Sequence, residues 1–290
     1  MNSKGNLAAF TLLSGYLLLS FTAPWILPHL PDTTSAAQFA PPSVDHFFGT
    51  NLHGMDMFAR TLAGAKVSFL VGAVGSVVSL VIGVSWGAIA GYLGHGWDAA
   101  LMRIVDILYA LPSIIFVIVM ITTFDAMVTP RLATFFGNDA PAVGRLLFLF
   151  VGLGAVSWLN MARIVRGQVL SLKNHRFIEA SRAMGASHRW ILRHHILPNV
   201  TNIVIVYLTL TIPSVVLYES FLSYLGLGVQ PPHASLGSLL AEGASQINAI
   251  QSHWWMVVFP ALALAIMLLT LNFLGDGLKK ALAAAEEVRY

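Results

Sequence analysis

Residues 67–92 read VSFLVGAVGSVVSLVIGVSWGAIAGY, 26 positions without one charged side chain. At about 1.5 Å per residue, a helix of this length spans the roughly 30 Å hydrocarbon core of a bilayer with residues to spare. Lipid offers no partner to an open backbone group, so the segment must cross as a helix. Within it Gly83, Gly87 and Gly91 recur at a spacing of four. Such a stripe of small residues lets a second helix approach closely. It is a packing signal and carries no information about cargo.

The rest of the chain has the same character. Its 290 residues are 57% hydrophobic and only 10% charged, with mean hydropathy +0.75. An ordinary soluble domain carries about 25% charged residues. The apolar residues fall into six runs near membrane-crossing length, about 8–27, 67–92, 100–124, 146–165, 200–221 and 254–274. The expected fold class is an all-α polytopic membrane protein with six transmembrane helices. Its parts are an N-terminal transmembrane helix (1–28), an extracytoplasmic segment (29–65), a membrane domain (66–276) holding the other five spans and a loop at 166–199, and a tail (277–290). Cysteine is absent, which excludes disulfides and thiolate metal sites. A net charge of +3 gives no footprint for nucleic acid.

Lysine and arginine set the orientation. With the N-terminus in the cytoplasm, twelve basic residues fall inside and four outside. The inner set includes Arg163, Arg166, Lys173, Arg176, Arg182, Arg189 and Arg193; the outer set is Arg60, Lys66, Arg131 and Arg145. The positive-inside rule therefore favours N-in and C-in. The first span resembles a secretory signal, but its apolar run continues through Trp25 and Leu27 and the nearby SFTAP is a poor cleavage site, so it is read as retained. Outside lie an irregular Pro-rich segment ending in a short amphipathic stretch at 55–62, a loop at 125–144, and a loop at 222–253 in which 236–247 can form a short helix.

No G-x-x-x-x-G-K-[ST], H-E-x-x-H or G-x-S-x-G occurs. No catalytic residue is assigned, and no metal site. His194 and His195 are adjacent, so on a helix they point about 100° apart. Ionisable groups at membrane depth are functional candidates by default. Asp106 is expected to pair locally with Arg103 one turn earlier. Glu219 stands near the outer end of span five and either faces a pathway or packs helices. Pro112 and Pro213 sit inside expected spans, where each removes a backbone hydrogen bond and acts as a hinge or a static bend.

The loop at 166–199 is too long for a simple connection and too regular for disorder. Phe177, Ala180 and Met184 share one helical face. Gly185 stands where a left-handed residue would end that helix, and Ser187 is a good N-cap for another. Pro198 closes the second helix or opens the next span. The expectation is two short helices joined at a glycine and lying on the membrane surface. Spacing alone leaves two uses open, a basic amphipathic element resting on anionic lipid or a dock for a soluble partner.

Longer motifs decide between them. Glu179-Ala180-Ser181, Gly185 four residues on, and His195-Ile196-Leu197-Pro198 after nine more resemble the EAA loop of ABC importer permeases. Ser181 replaces the usual second alanine, and His195 stands where many members have isoleucine. FGTNLHGMDMFARTLAGAKVSFLVG (48–72) is similar to the F-G-T-D-x-x-G-R-D-x-x-S-R segment of the peptide and nickel branch, with Asn51 for Asp and Met55 for Arg. SFLSYLGLGVQPP (220–232) and LNFLGDGLKKAL (271–282) agree with the same branch, so the resemblance covers about residues 45–282. It is most similar to the C-type subunit of the oligopeptide subgroup, with dipeptide and nickel members close behind.

The resemblance implies a type I ABC importer permease in a bacterial inner membrane, with the permease domain at 66–276 and the coupling loop at 166–199. It implies three kinds of partner besides membrane lipid: a B-type second permease, two cytoplasmic ATPases that hold ATP and Mg, and an extracytoplasmic solute-binding protein. No cofactor is implied for this chain. Glu179, Ala180, Ser181, Gly185, Ala186, Ile196, Leu197 and Pro198 would form the ATPase-coupling element. A self-sufficient secondary transporter or channel is the competing class. It would require coupling ions at depth, where candidates are few and no inverted repeat is visible.

Overall fold

The computed structural model describes residues 3–137, 140–231, 233–247 and 251–287. Among the described residues ten α-helices follow one another: α1 Ser3–Ile26, α2 Met57–Leu93, α3 His95–Ala110, α4 Ser113–Phe136, α5 Ala140–Leu172, α6 Arg176–Ala183, α7 His188–Ile191, α8 Leu197–Tyr224, α9 Leu236–Ser245 and α10 Trp255–Glu287. A π-helical turn, Leu192–Ile196, joins α7 to α8.

The opening stretch is the spine. α2 packs along α5 over much of its length. The glycine stripe faces that partner: a Cβ at Gly83 would stand 2.5 Å from the Met161 Cβ, and one at Gly91 would stand 2.9 Å from the Arg166 carbonyl oxygen. Around this pair α4, α8, α10 and α1 complete the bundle. Its interior is a series of aliphatic clusters, such as Val71, Leu149, Leu153 and Val215 near the outer half and Met161, Val165, Val169 and Val200 near the other end.

Among the described residues five helices are long and apolar enough to cross a membrane singly, and α3 with the first part of α4, bent by 89° between them, is long and apolar enough only as a pair. This corrects the expected third span. Residues 100–124 are not one helix, because Leu111 and Pro112 break the chain between α3 and α4. Proline lacks the donor that would continue the ladder and pushes its predecessor out of the α region, and Leu111 is extended at φ −80°, ψ 137°. The neighbouring loop is also shorter than expected, since α4 runs to Phe136 and α5 starts at Ala140. Pro213 behaves differently: it is buried within an uninterrupted α8.

Three further boundaries move. The amphipathic stretch at 55–62 is no separate helix; Asp56 caps α2, its carboxylate accepting from the Ala59 amide, and the helix runs on into span two. The tail at 277–290 is helical through Glu287 as part of α10. The expected helix at 236–247 forms as α9, closed by a capping box between Ser235 and Ser238.

The bundle has two distinct ends. At one, Gly277 of α10 lies against Asn6 of α1, near the basic loop that follows α5. At the other, the irregular segment 27–56 folds over α9 and the start of α10. There Trp255 Nε1 donates to the Thr50 carbonyl at 3.2 Å, and Phe48 stacks on Phe259 with ring centroids 4.0 Å apart. The basic end is the cytoplasmic one by the positive-inside rule.

Candidate functional site

The cytoplasmic element is built on buried isoleucines. Ile178 of α6, Ile191 of α7 and Ile196 of the π-turn are all fully buried, packed with Val165, Val169 and Val200. The side of α6 opposite Ile178 is free: Phe177 is 41% exposed, Met184 is 80% exposed, and Glu179 and Ala180 are exposed beside them. The Phe177/Ala180/Met184 face is thus an outer surface.

The turn between the helices has full capping geometry. Gly185 has φ +84°, in the left-handed region. Its amide donates to the Arg182 carbonyl at 2.9 Å, and the Ala186 amide donates to the Ser181 carbonyl at 3.0 Å, the paired bonds of a Schellman motif. Ser187 then caps α7, its hydroxyl accepting from the Trp190 amide at 3.3 Å. The second helix is not the separate surface helix expected. α7, the π-turn and α8 form one continuous stretch, His188–Tyr224. Pro198 lies in the first turn of α8, directly after the π-turn.

Several contacts clamp the element to the bundle. Tyr92, at the end of α2, has its hydroxyl 2.9 Å from His188 Nδ1, and the Arg182 guanidinium lies 5.4 Å from the centre of its ring. The Ser181 hydroxyl donates to the Phe177 carbonyl at 2.8 Å and lies 3.0 Å from His195 Nε2. A hydroxyl has one proton to give, so here it accepts from His195 Nε2–H. Ser181 and His195, the two departures from the usual loop pattern, therefore touch each other. One step deeper, Arg166 makes a bidentate pair with Asp98, Nε to Oδ1 at 2.5 Å and Nη2 to Oδ2 at 2.7 Å. That pair ties the end of α5 to the start of α3.

The residues singled out from the sequence divide by position. Glu179, Ala180 and Gly185 form the exposed tip, with Ala186 half-buried behind them. Ser181 and Ile196 are buried supports, Leu197 is half-buried, and Pro198 is exposed at the start of α8. Tyr92, Ile178, Arg182, His188 and Ile191 were not singled out. Ile178 and Ser181 stand three apart and carry the inward face of α6, a spacing legible in the sequence. Tyr92 is 96 positions from His188 and offered no local signal.

The other candidates lie elsewhere. Glu219 is fully buried. It accepts from Ser68 Oγ at 2.8 Å and Ser223 Oγ at 2.6 Å. Those hydroxyls accept in turn from the Leu236 and Val229 amides. Glu219 thus pins the outer loop and the start of α9 to α2 and α8. Asp106 pairs with Arg163 of α5 at 2.7 Å, not locally with Arg103 as expected; Arg163 also lies 4.2 Å from the Tyr109 ring centre, which draws it across. Pro112 sits at the α3–α4 break and Pro213 in the core of α8, both away from the cytoplasmic element.

A bundle of membrane-length helices carries a basic element between two of its spans, and comparison with known proteins gives its class. The chain belongs to the family described as binding-protein-dependent transport system inner membrane component, which matches residues 83–287. It is 40% identical over 284 residues to the oligopeptide transport system permease protein OppC of Haemophilus influenzae, covering 97% of this chain and 84% of that one. It is also 40% identical to OppC of Escherichia coli strain K12, over 97% of this chain and 87% of the relative. The dipeptide transport system permease protein DppC of Bacillus subtilis is 38% identical, over 97% and 82%. Among solved structures, a chain of the MetNI methionine ABC transporter in an inward-facing conformation superposes with TM-score 0.57 at 22% identity, over 78% of this chain and 97% of that one. The fold is therefore that of an ABC importer permease, and the chain is an inner-membrane component.

Proposed function

We propose that this chain is one of two permease subunits of an ATP-driven importer of short peptides, contributing half of the pathway and no catalytic site of its own. The closely similar relatives are named for oligopeptide and dipeptide transport, and peptides are the cargo proposed here. A B-type permease would supply the other half, and a solute-binding protein would deliver cargo from outside. Two cytoplasmic ATPases would hold ATP and Mg, so this chain needs no cofactor.

The observation that carries the reading is the exposed tip Glu179–Gly185 standing on three fully buried isoleucines. A surface so supported moves as a body with what lies beneath it. α7 continues into α8, and α5 is joined to α3 through Arg166 and Asp98. A push on the tip by a closing ATPase pair would therefore turn α5 and α8 together, a rigid-body switch of the access side. The turn at Gly185 puts no side chain at the point of contact. Met184 and Ala180 would meet an apolar groove, with Glu179 and the surrounding arginines meeting charges at its rim.

Replacing Gly185 by Asp tests this. The site is open, with nothing within 4 Å of an added Cβ, so the fold must bear only the left-handed backbone strain of about 1 kcal/mol. Membrane insertion should be normal, while ATP-dependent uptake falls at least tenfold and the ATPases no longer co-purify. Full uptake in this variant rejects the coupling role. Uptake by the unaltered chain without any ATPase would favour a self-sufficient transporter instead.

A further inference from the structure

On the outer face, between the 51–60 segment, the 226–231 turn, His233 and α9, lies a cavity of about 780 Å³. That volume is in the range of small-molecule sites, roughly 300–1,000 Å³. Its walls carry Arg60 and Glu242, with Asp32, His53, Gln230 and Gln246 nearby.

Arg60 is left with donors to spare. Its side chain is only 12% exposed. Nη2 donates to Glu242 Oε2 at 3.0 Å. Nη1 faces the Met55 sulfur at 2.8 Å, and a thioether is a weak acceptor. Among the described residues, the buried Nε has no acceptor. Of five N–H donors on a permanently charged group, one therefore has a strong partner among those residues. The other oxygen of Glu242 accepts from Asn51 Nδ2 at 2.6 Å. Asn51 is itself set by the His53 and Met55 amides, which donate to its Oδ1 at 3.0 and 2.9 Å. The wall is thus organised in advance around an under-satisfied guanidinium, held next to a side chain that is flexible and easily displaced.

The chemistry that completes such a group is a carboxylate, which takes two parallel N–H bonds from a guanidinium. We propose that Arg60 binds the C-terminal carboxylate of the cargo peptide as it leaves the binding protein, with Met55 moving aside. The inference rests on the peptide reading above. The carboxylate could also belong to a side chain of the docking binding protein, and the arms of the test separate the two sources.

The test uses the complete importer in proteoliposomes with ATP on the ATPase side. Uptake is measured for one short peptide and for its C-terminal amide, each at a concentration that saturates the binding protein, with binding-protein affinities measured separately. The unaltered importer is expected to move the acid faster than the amide. Arg60→Met should bring the two rates together, a change of about tenfold in their ratio, with binding-protein affinity unmoved; Arg60→Lys should restore part of the preference. Three results overturn the proposal. The first is an unchanged acid-to-amide ratio in Arg60→Met. The second is an equal slowing of both peptides, which assigns Arg60 only the structural tie to Glu242. The third is loss of ATPase stimulation by unliganded binding protein, which assigns the carboxylate to that protein. If the unaltered importer moves neither peptide, the cargo reading itself fails and the proposal with it.

Discussion

Ser181 and His195 illustrate what one hydrogen bond does in this protein. Ser181 is buried, and its single proton is committed to the Phe177 carbonyl. Its oxygen therefore needs the His195 Nε2–H, and that contact is a direct side-chain link from α6 to the base of α8. Ser181→Ala leaves the imidazole donor unmet, and His195→Leu leaves the hydroxyl unmet. Each should cost about 1 kcal/mol of rigidity in the joint, read as a fall of roughly fivefold in peptide moved per ATP hydrolysed. The double variant should be no worse than either single one, since the two act through one bond. Additive losses would show that the residues work separately. The contact also shows where sequence reading stops. Both residues stood out as departures from the loop pattern, but their 14-residue separation gave no reason to pair them.

At the scale of elements, the reading succeeded where a period or a spacing carried the signal. The stripe of Gly83, Gly87 and Gly91 announced a close helix contact, and α5 makes it. The cap and turn residues around Gly185 announced a helix–glycine–helix unit. Continuity between elements was harder to see. Nothing in LRHHILPN distinguishes a helix end from a π-turn leading into the next span, because proline is equally at home after one helix and in the first turn of another. The break at Pro112 was visible as a proline, but the 89° bend follows from how α3 packs, with Met102 and Val105 buried against Trp158 and Ala162. The glycine stripe allows a paired measurement. A Cβ at Gly87 would collide with the Ala162 carbonyl oxygen, whereas Gly15 of α1 has nothing within 4 Å. Gly87→Ala should destabilise the purified importer by about 1–3 kcal/mol through overpacking. Gly15→Ala should stabilise it by about 0.5 kcal/mol through helix preference. Heat-induced unfolding in detergent, followed for both variants beside the parent, should shift in opposite directions; equal shifts would mean that the α2–α5 contact is looser than its geometry.

At the scale of the whole molecule, one property makes the orientation directly measurable: the chain has no cysteine. A single introduced thiol is then the only one on this subunit. Val44, 88% exposed, lies in the segment folded over the outer end, and Met184, 80% exposed, lies at the tip of the cytoplasmic element. Neither substitution removes a buried contact, so both variants should keep uptake within about twofold in the absence of label. A membrane-impermeant maleimide added to spheroplasts, whose inner membrane is intact and exposed, should modify Val44→Cys and leave Met184→Cys untouched. In inverted vesicles the pattern should reverse, because the twelve basic residues assigned inside place the Met184 end in the cytoplasm. The inverted vesicles then test docking as well. Stripped of ATPases, they should label Met184→Cys at the rate of an exposed thiol; with the ATPases bound, labelling should slow at least tenfold, while a thiol at Leu7, 64% exposed on α1 near the same end, should keep its rate. Labelling of Val44→Cys and Met184→Cys from one side would overturn the topology. Unchanged labelling of Met184→Cys in the assembled importer would leave the topology standing and remove the tip of α6 from the ATPase contact.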